Sequence, residues 1–315
     1  MLNLLAVAEP GGGSLFLQQV INGLTTGSLI AVIALGYTMV YGIIELINFA
    51  HGDLFMLGSF LALTLVGAMG LATAGTVGLV LGLFVVLASC MTFCGTINVT
   101  VDRLVYRPLR NAPKLTPLVS AIGMSFVFMG LGQLWKGVAD INFPRLIPNQ
   151  NLLGSPSLQF TLKDLIVILV TVPLMVSLTL FVKYTRMGKA MRATAQNPVA
   201  SRLMGINVDL VIAVTFAIGG ALAGAASLVY GLYIGTVSFQ MGYQNGLYAF
   251  TAAVLGGIGN LPGAVLGGVV IGLVRSLGSQ YVGEKWTSAL VFAILIILLV
   301  FRPSGLLGAK VREKV

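Results

Sequence analysis

The charged residues of this 315-residue chain are placed so that long stretches carry none: 10–44, 54–101, 115–135, 165–182, 210–274 and 286–301. A helix crosses the hydrocarbon core of a bilayer with about 20 predominantly apolar residues. Inside lipid every backbone polar group must also be bonded within the protein, which leaves helices or closed barrels. The apolar runs here are continuous rather than alternating, which selects helices. The expected fold class is an all-α integral membrane protein, a polytopic bundle of about eight to ten transmembrane helices.

With 9% charged and 57% hydrophobic residues, against about 25% charged in soluble domains, no sizeable soluble domain is hidden in the chain. It reads as a single transmembrane domain, 1–315. The formal charge of +9 would suggest nucleic acid in a soluble protein, but the positive-inside rule accounts for it better here. Loop 103–114 holds Arg103, Arg107, Arg110 and Lys114; segment 183–209 holds Lys183, Arg186, Lys189, Arg192 and Arg202; the tail 302–315 holds Arg302, Lys310, Arg312 and Lys314. These are 13 of the 18 basic residues, and all three segments are expected on the cytoplasmic side. At the other end of the chain, Ala6-Val7-Ala8 resembles a signal-peptidase site, but no basic residues precede it and the apolar stretch before it is short. Residues 1–14 therefore read as an uncleaved tail, and its lone charge, Glu9, suits an external N-terminus.

The crossings are expected at 15–44, 54–72, 75–100, 115–135 and 164–182, with three more in 210–274 and a last at 286–301, about nine in all. A broken half-helix around 36–52 would change the number by one. Loop 136–163, with Pro144, Pro148 and Pro156 among mixed charges, is expected outside. The break inside 210–274 is placed at Gly256-Gly257-Ile258-Gly259-Asn260-Leu261-Pro262-Gly263. Glycines at small-xxx-small spacing (Gly220/Gly224, Gly231/Gly235, Gly263/Gly267, Gly268/Gly272) predict close helix packing on several helices.

Nothing reads as enzymatic: the chain has no Walker A sequence, no CxxC or HExxH, and a single histidine. No metal and no cofactor is expected in this subunit. Cys90 and Cys94 read as small residues packed in a helix. Glu45, His51 and Asp53 invite an acid–base reading, but a lone histidine at a membrane boundary reads more simply as an interfacial hydrogen-bonded group.

Two segments stand out. In Gly36–Asp53 polar groups enter an apolar run, where they face a cavity or one another; this is either part of a solute path or a turn at the membrane surface. Tyr37, Tyr41, Asn48 and His51 are the candidate path-wall residues. In 183–209, RMGKAMRATAQ (186–196) holds good helix formers and basic side chains. Asn197-Pro198 then reads as an N-cap with proline at the first helical position, and Gly205 as the residue just past the end. That predicts a helix of about two turns with Val199, Leu203 and Met204 on one side. Too short to persist alone in water, it is expected to dock, on a partner protein in preference to lipid headgroups.

At this point the chain resembles a known family. INFAHGD (47–53), DRLVYRP (102–108), YTRMGKAMRA (184–193), LMGIN (203–207), AFTAAVLGGIGNLPGAVLGG (249–268) and RPSGLLG (302–308) look like the permease subunits of branched-chain amino-acid ABC importers, the high-affinity leucine/isoleucine/valine (LivH-like) class. The resemblance runs from about residue 18 to 308. It implies a subunit of the bacterial inner membrane that has no ATPase of its own. It also implies a second homologous permease, two cytosolic ATPases that bind the ATP, and an extracytoplasmic solute-binding protein. Segment 183–209 would be the coupling loop, with Arg186, Gly188, Arg192, Asn197, Pro198, Leu203 and Gly205 meeting the ATPase. Two other readings stay open: the same family carrying urea or short amides, and a stand-alone secondary transporter or channel. The latter is weakened because 54–101 and 210–274 lack the charges a coupled carrier needs in mid-membrane.

Overall fold

The computed structural model describes residues 12–110, 112–113, 115–155 and 158–308. Among these residues are twelve α-helices, a 3-10 turn at Leu71–Thr73, π-turns at Asp102–Tyr106 and Ser279–Gly283, and one two-stranded ribbon. The long helices are α1 (Gly12–Ile44), α2 (Ala50–Ala68), α3 (Thr76–Val101), α5 (Leu115–Lys136), α6 (Leu162–Tyr184), α9 (Val208–Ile234), α10 (Met241–Gly256), α11 (Leu261–Gly278) and α12 (Glu284–Phe301). The short ones are α4 (Arg107–Leu109), which prolongs α3 through a π-turn at Asp102–Tyr106, and the pair α7 (Arg186–Gln196) and α8 (Pro198–Leu203). Strands β1 (Ile141–Asn142) and β2 (Thr236–Val237) pair antiparallel.

Seven helical stretches among the described residues are long and apolar enough to cross a membrane. One of these, Leu261–Phe301, has 41 residues, about 60 Å of continuous helix and twice a bilayer core. It is in fact two helices. Gly283, at φ 105°, breaks it. Residues 306–307 at the far end of α12 bond back to Leu255 and Gly256, beside the start of α11. Counting α10, whose 16 residues span about 24 Å, nine rods alternate in direction, in agreement with the expected number.

The packing follows backbone approach rather than side-chain size. A Cβ on Gly27 would lie 2.9 Å from Val269 Cα, and one on Gly268 2.5 Å from Ala31 Cα; α1 and α11 thus run antiparallel in direct backbone contact. Gly220 and Gly224 seat α9 on α3 around Cys94 and Cys90, while Gly263 and Gly267 seat α11 on α10. Gly235 belongs to no seam: at φ 76° it ends α9. Cys90 and Cys94 are buried, their Sγ atoms towards the Gly58 and Leu54 carbonyls. α1, α2 and α9 form the centre of the bundle, and α3, α5 and α6 are mostly exposed around them.

The two ends of the bundle differ in chemistry. One gathers 45–49, 102–110, 185–207, 257–260 and 302–308, with Arg103, Arg107, Arg110, Lys183, Arg186, Lys189, Arg192, Arg202 and Arg302. The other gathers 69–75, 137–155, 158–161, 235–240 and 279–283. Lys114, Lys310, Arg312 and Lys314 lie outside the described residues, as do residues 1–11 of the N-terminal tail; 12–14 already belong to α1.

Several boundaries differ from expectation. α1 runs unbroken through 36–44, so no half-helix forms there; it ends at Glu45, whose φ of 53° turns the chain. α2 starts at Ala50 rather than 54, because Asp53 is buried in its first turn and accepts a hydrogen bond from Ser125. The loop expected from 103 is helical to Leu109, since Asp102 is paired inside the protein with Arg110 at 2.7 Å. Residues 302–308, read as the start of a tail, are fastened to the bundle: Leu306 and Leu307 N–H groups donate to the Leu255 and Gly256 carbonyls at 2.8 and 3.0 Å. Asn260 Nδ2 also donates to the Leu307 carbonyl at 2.6 Å.

Candidate functional site

At the basic end the chain leaves α6 and re-enters at α9 through α7 and α8. Thr185 caps α7, its side chain accepting from Gly188 N–H at 3.0 Å. Gly188 is buried against the Phe181 and Val182 carbonyls, with no room for a Cβ. Arg192 donates to the Val182 carbonyl and, at 3.1 Å, to that of Lys183, so a cation satisfies the last carbonyls of α6 as helix ends favour. Met191 and Thr194 are buried on the same side. α7 is therefore bolted to α6, and only its basic face is free.

α8 is the opposite case. Asn197 accepts from Ala200 N–H at 3.0 Å, Pro198 occupies the first turn, and the helix closes after six residues. Gly205, at φ 81°, allows Gly205 and Ile206 to bond back to Arg202 and Ser201 at 3.0 Å each, a Schellman ending that needs a left-handed residue at that point. Val199, Leu203 and Met204 are 66%, 84% and 82% exposed. The cap, proline and terminal glycine are those expected; the helix is a little under two turns. Val208, the first residue of α9, is buried. Asp209 ion-pairs with Arg107 and Arg110 at 2.8 and 2.7 Å. A load on α8 is thus carried to α6 on one side and to α9 and the 102–110 turn on the other.

The candidate path residues divide. Asn48 is buried and bonded: it accepts from Tyr106 Oη at 2.7 Å and donates to Asn98 Oδ1 at 3.3 Å, while Asn98 donates to the Phe216 carbonyl at 2.7 Å. This trio ties the 45–49 turn to α3 and α9. Tyr41 is half-buried near the end of α1. His51 is not the interfacial hydrogen-bonded group expected. It is 1% exposed, sits edge-on to Tyr37 at 4.8 Å and fills the space left by Gly36. Neither of its ring nitrogens makes a hydrogen bond of normal geometry among the described residues, and the Ile33 backbone is the polar group it approaches. Glu45 is not with it: Glu45 is exposed at the turn, whereas His51 and Asp53 are interior.

Tyr37 does line a cavity, of about 300 Å³, with Phe49, Ser125, Phe126, Tyr243 and Leu247. Behind Ser125 stands Asp53, fully buried, with its second carboxylate oxygen unpartnered. Sequence reasoning missed Ser125 and the interior position of Asp53; the only signal was a charge just before a long apolar run.

A second, larger cavity was also missed. At the opposite end of the bundle from α8, a hollow of about 500 Å³ lies among α1, α10, α11 and α12. Its wall includes Gln19, Asn22, Gln244, Arg275, Glu284 and Ser288. Leu247 lines both cavities, so α10 forms the partition between them. Its one signal in the sequence was Arg275, the residue that ends the longest charge-free run.

Residues 19–300 match the family described as branched-chain amino acid transport system / permease component. The chain is 41% identical over 312 residues to the high-affinity branched-chain amino acid transport system permease protein LivH of Salmonella typhimurium, covering 95% of this chain and 98% of that one. It is 40% identical over 306 residues to the permease protein BraD of Pseudomonas aeruginosa, with the same coverage. A probable LivH of Methanocaldococcus jannaschii is 26% identical over 213 residues, 63% of this chain and 61% of that protein. No solved structure matches the chain. With a multi-pass helical bundle, a capped helix protruding from its basic end and this similarity over nearly the whole length, the chain belongs to the permease-component family of branched-chain amino acid transport systems.

Proposed function

We propose that this chain is a permease subunit of an ABC importer that carries leucine, isoleucine and valine across the bacterial inner membrane, driven by ATPases that are separate polypeptides. The observation that carries the reading is α8. A six-residue helix with a defined cap and stop holds three large apolar side chains in the open, at the basic end of a membrane bundle. Neither lipid adhesion nor internal packing needs that construction, whereas a cleft in a soluble partner does. The basic end is cytoplasmic in this reading, by the positive-inside rule, and the end with loop 137–161 faces a solute-binding protein. A second permease subunit, covering part of the exposed belt of the bundle, completes the path. The names of the relatives in bacteria favour branched-chain amino acids over urea or amides.

The mechanism follows from how α7 and α8 are held. Closure of the ATPases on nucleotide displaces α8. Because Arg192 and Gly188 fix α7 to α6, and Asn207 and Asp209 lead directly into α9, the displacement moves α6 and α9 together. α9 packs on α1, α2 and α3 through glycine seams, which slide more readily than interlocked side chains. The cavity walled by Tyr37 would then open alternately to either end. The test is ATP-dependent leucine uptake by proteoliposomes containing this chain with its second permease, ATPases and binding protein. Uptake that requires hydrolysis is expected; equal uptake by this chain alone would sink the reading.

A further inference from the structure

The cavity at the end opposite α8 has a largely polar wall in an otherwise oily chain. Between Asp209 and Arg302 there are three charged residues, Arg275, Glu284 and Lys285, and two of them, Arg275 and Glu284, line it. They do not neutralise one another: among the described residues neither forms an ion pair. The Arg275 guanidinium lies 4.2 Å over the ring of Tyr248, and its N–H groups donate to no acceptor there. Stacking on an aromatic face holds a guanidinium flat and leaves its edge free for the bidentate grip that suits a carboxylate. The surroundings are ordered. Tyr248 Oη bonds Ser288 Oγ at 2.7 Å, Ser276 Oγ donates to Gln19 at 2.7 Å, and Gln19 Nε2 donates to Gln280 at 3.2 Å. Tyr248 also stacks on Phe292 at 6.4 Å, giving the hollow an apolar flank.

A cation held over an aromatic ring and a carboxylate, unpaired in one hollow beside aromatic rings, match a zwitterion with an apolar side chain. We infer that this cavity is a docking subsite for an α-amino acid: Arg275 grips its carboxylate, Glu284 faces its ammonium, and Tyr248, Phe292 and Leu247 take its aliphatic side chain. The subsite rests on the cargo proposed above and lies on the side from which cargo would arrive. Urea and amides, lacking the carboxylate, would leave Arg275 unused.

The test reads binding without transport. Ser279 lines the cavity and is exposed, while both native thiols are buried, so in a Ser279→Cys variant of the full complex a small thiol reagent reports on this hollow. Millimolar leucine should slow modification several-fold, whereas leucinamide, N-acetylleucine and urea should not. Adding Arg275→Gln should abolish the protection, and Arg275→Lys, which keeps the charge and the stem, should restore part of it. Modification at the same rate with or without leucine, or equal protection by leucinamide, overturns the subsite. Leucine uptake by the unmodified complex is measured alongside. Uptake without protection overturns the subsite and leaves the cargo proposal standing; neither uptake nor protection overturns both.

Discussion

At the scale of single residues, the interior of this bundle pairs several of its polar groups, while both His51 ring nitrogens and one Asp53 oxygen stay unpartnered among the described residues. Asp102 is 1% exposed and is held at 2.7 Å by Arg110, itself 19% exposed, which also reaches Asp209. Removing one partner of such a pair strands the other charge, which costs about 3–5 kcal/mol. Arg110→Ala should therefore lower the thermal midpoint of the detergent-solubilised protein markedly, and an unchanged melting curve would show that the pair does not hold α3 to α9. Asn98 makes a similar case without charge. It receives Asn48 and donates to the Phe216 carbonyl, so Asn98→Leu leaves buried groups unbonded at a cost of about 1–3 kcal/mol. The loss should be read in the same melting experiment. The Asn48–Asn98 pairing was not legible in the sequence, because the two are fifty positions apart and only the fold brings them together.

At the scale of elements, α8 was legible almost to the residue, since caps and stops are local. Asn197 and Gly205 act through bonds that span three to five positions, and Pro198 through its own fixed φ at the first helical position. The predictions here are correspondingly direct. Gly205→Val puts a β-branched residue at φ 81°, a strain of about 1–2 kcal/mol at the stop of α8. It should leave membrane insertion intact while lowering transport per ATP hydrolysed. Leu203→Asp places a charge at the most exposed apolar position of α8 and should weaken retention of the ATPases on purification. Full transport in both variants would refute the coupling role. α7 was only half legible: its basic face is plain in the sequence, but that Arg192 caps α6 depends on the angle at which the two helices meet.

At the scale of the whole molecule, the proposed orientation makes one end of the bundle cytoplasmic. Lys189→Cys and Val199→Cys should be labelled by impermeant reagents only from the cytosol, and Leu153→Cys only from outside. Because Cys90 and Cys94 are buried, the native protein should give little background. Labelling of position 189 or 199 from the external side would invert the bundle and detach α8 from any cytosolic partner.

By itself the sequence determined that this chain is a membrane bundle, roughly how many times it crosses, which end is basic, and where a short capped helix protrudes. Each of these depends on local composition: a charge is expelled from lipid wherever it falls, and a cap acts within one turn. Which helices stand at the centre, that Asp53 lies inside, that 302–308 is clamped to 255–260 and that Arg275 and Glu284 share a cavity were decided by tertiary structure alone. The physical reason is that lipid and protein interior are equally apolar. Helices α1, α2 and α3 are oily on every face, so their periodicity carries no inside-to-outside signal. The choice of inner face passes to backbone proximity at glycine, settled only when two helices meet.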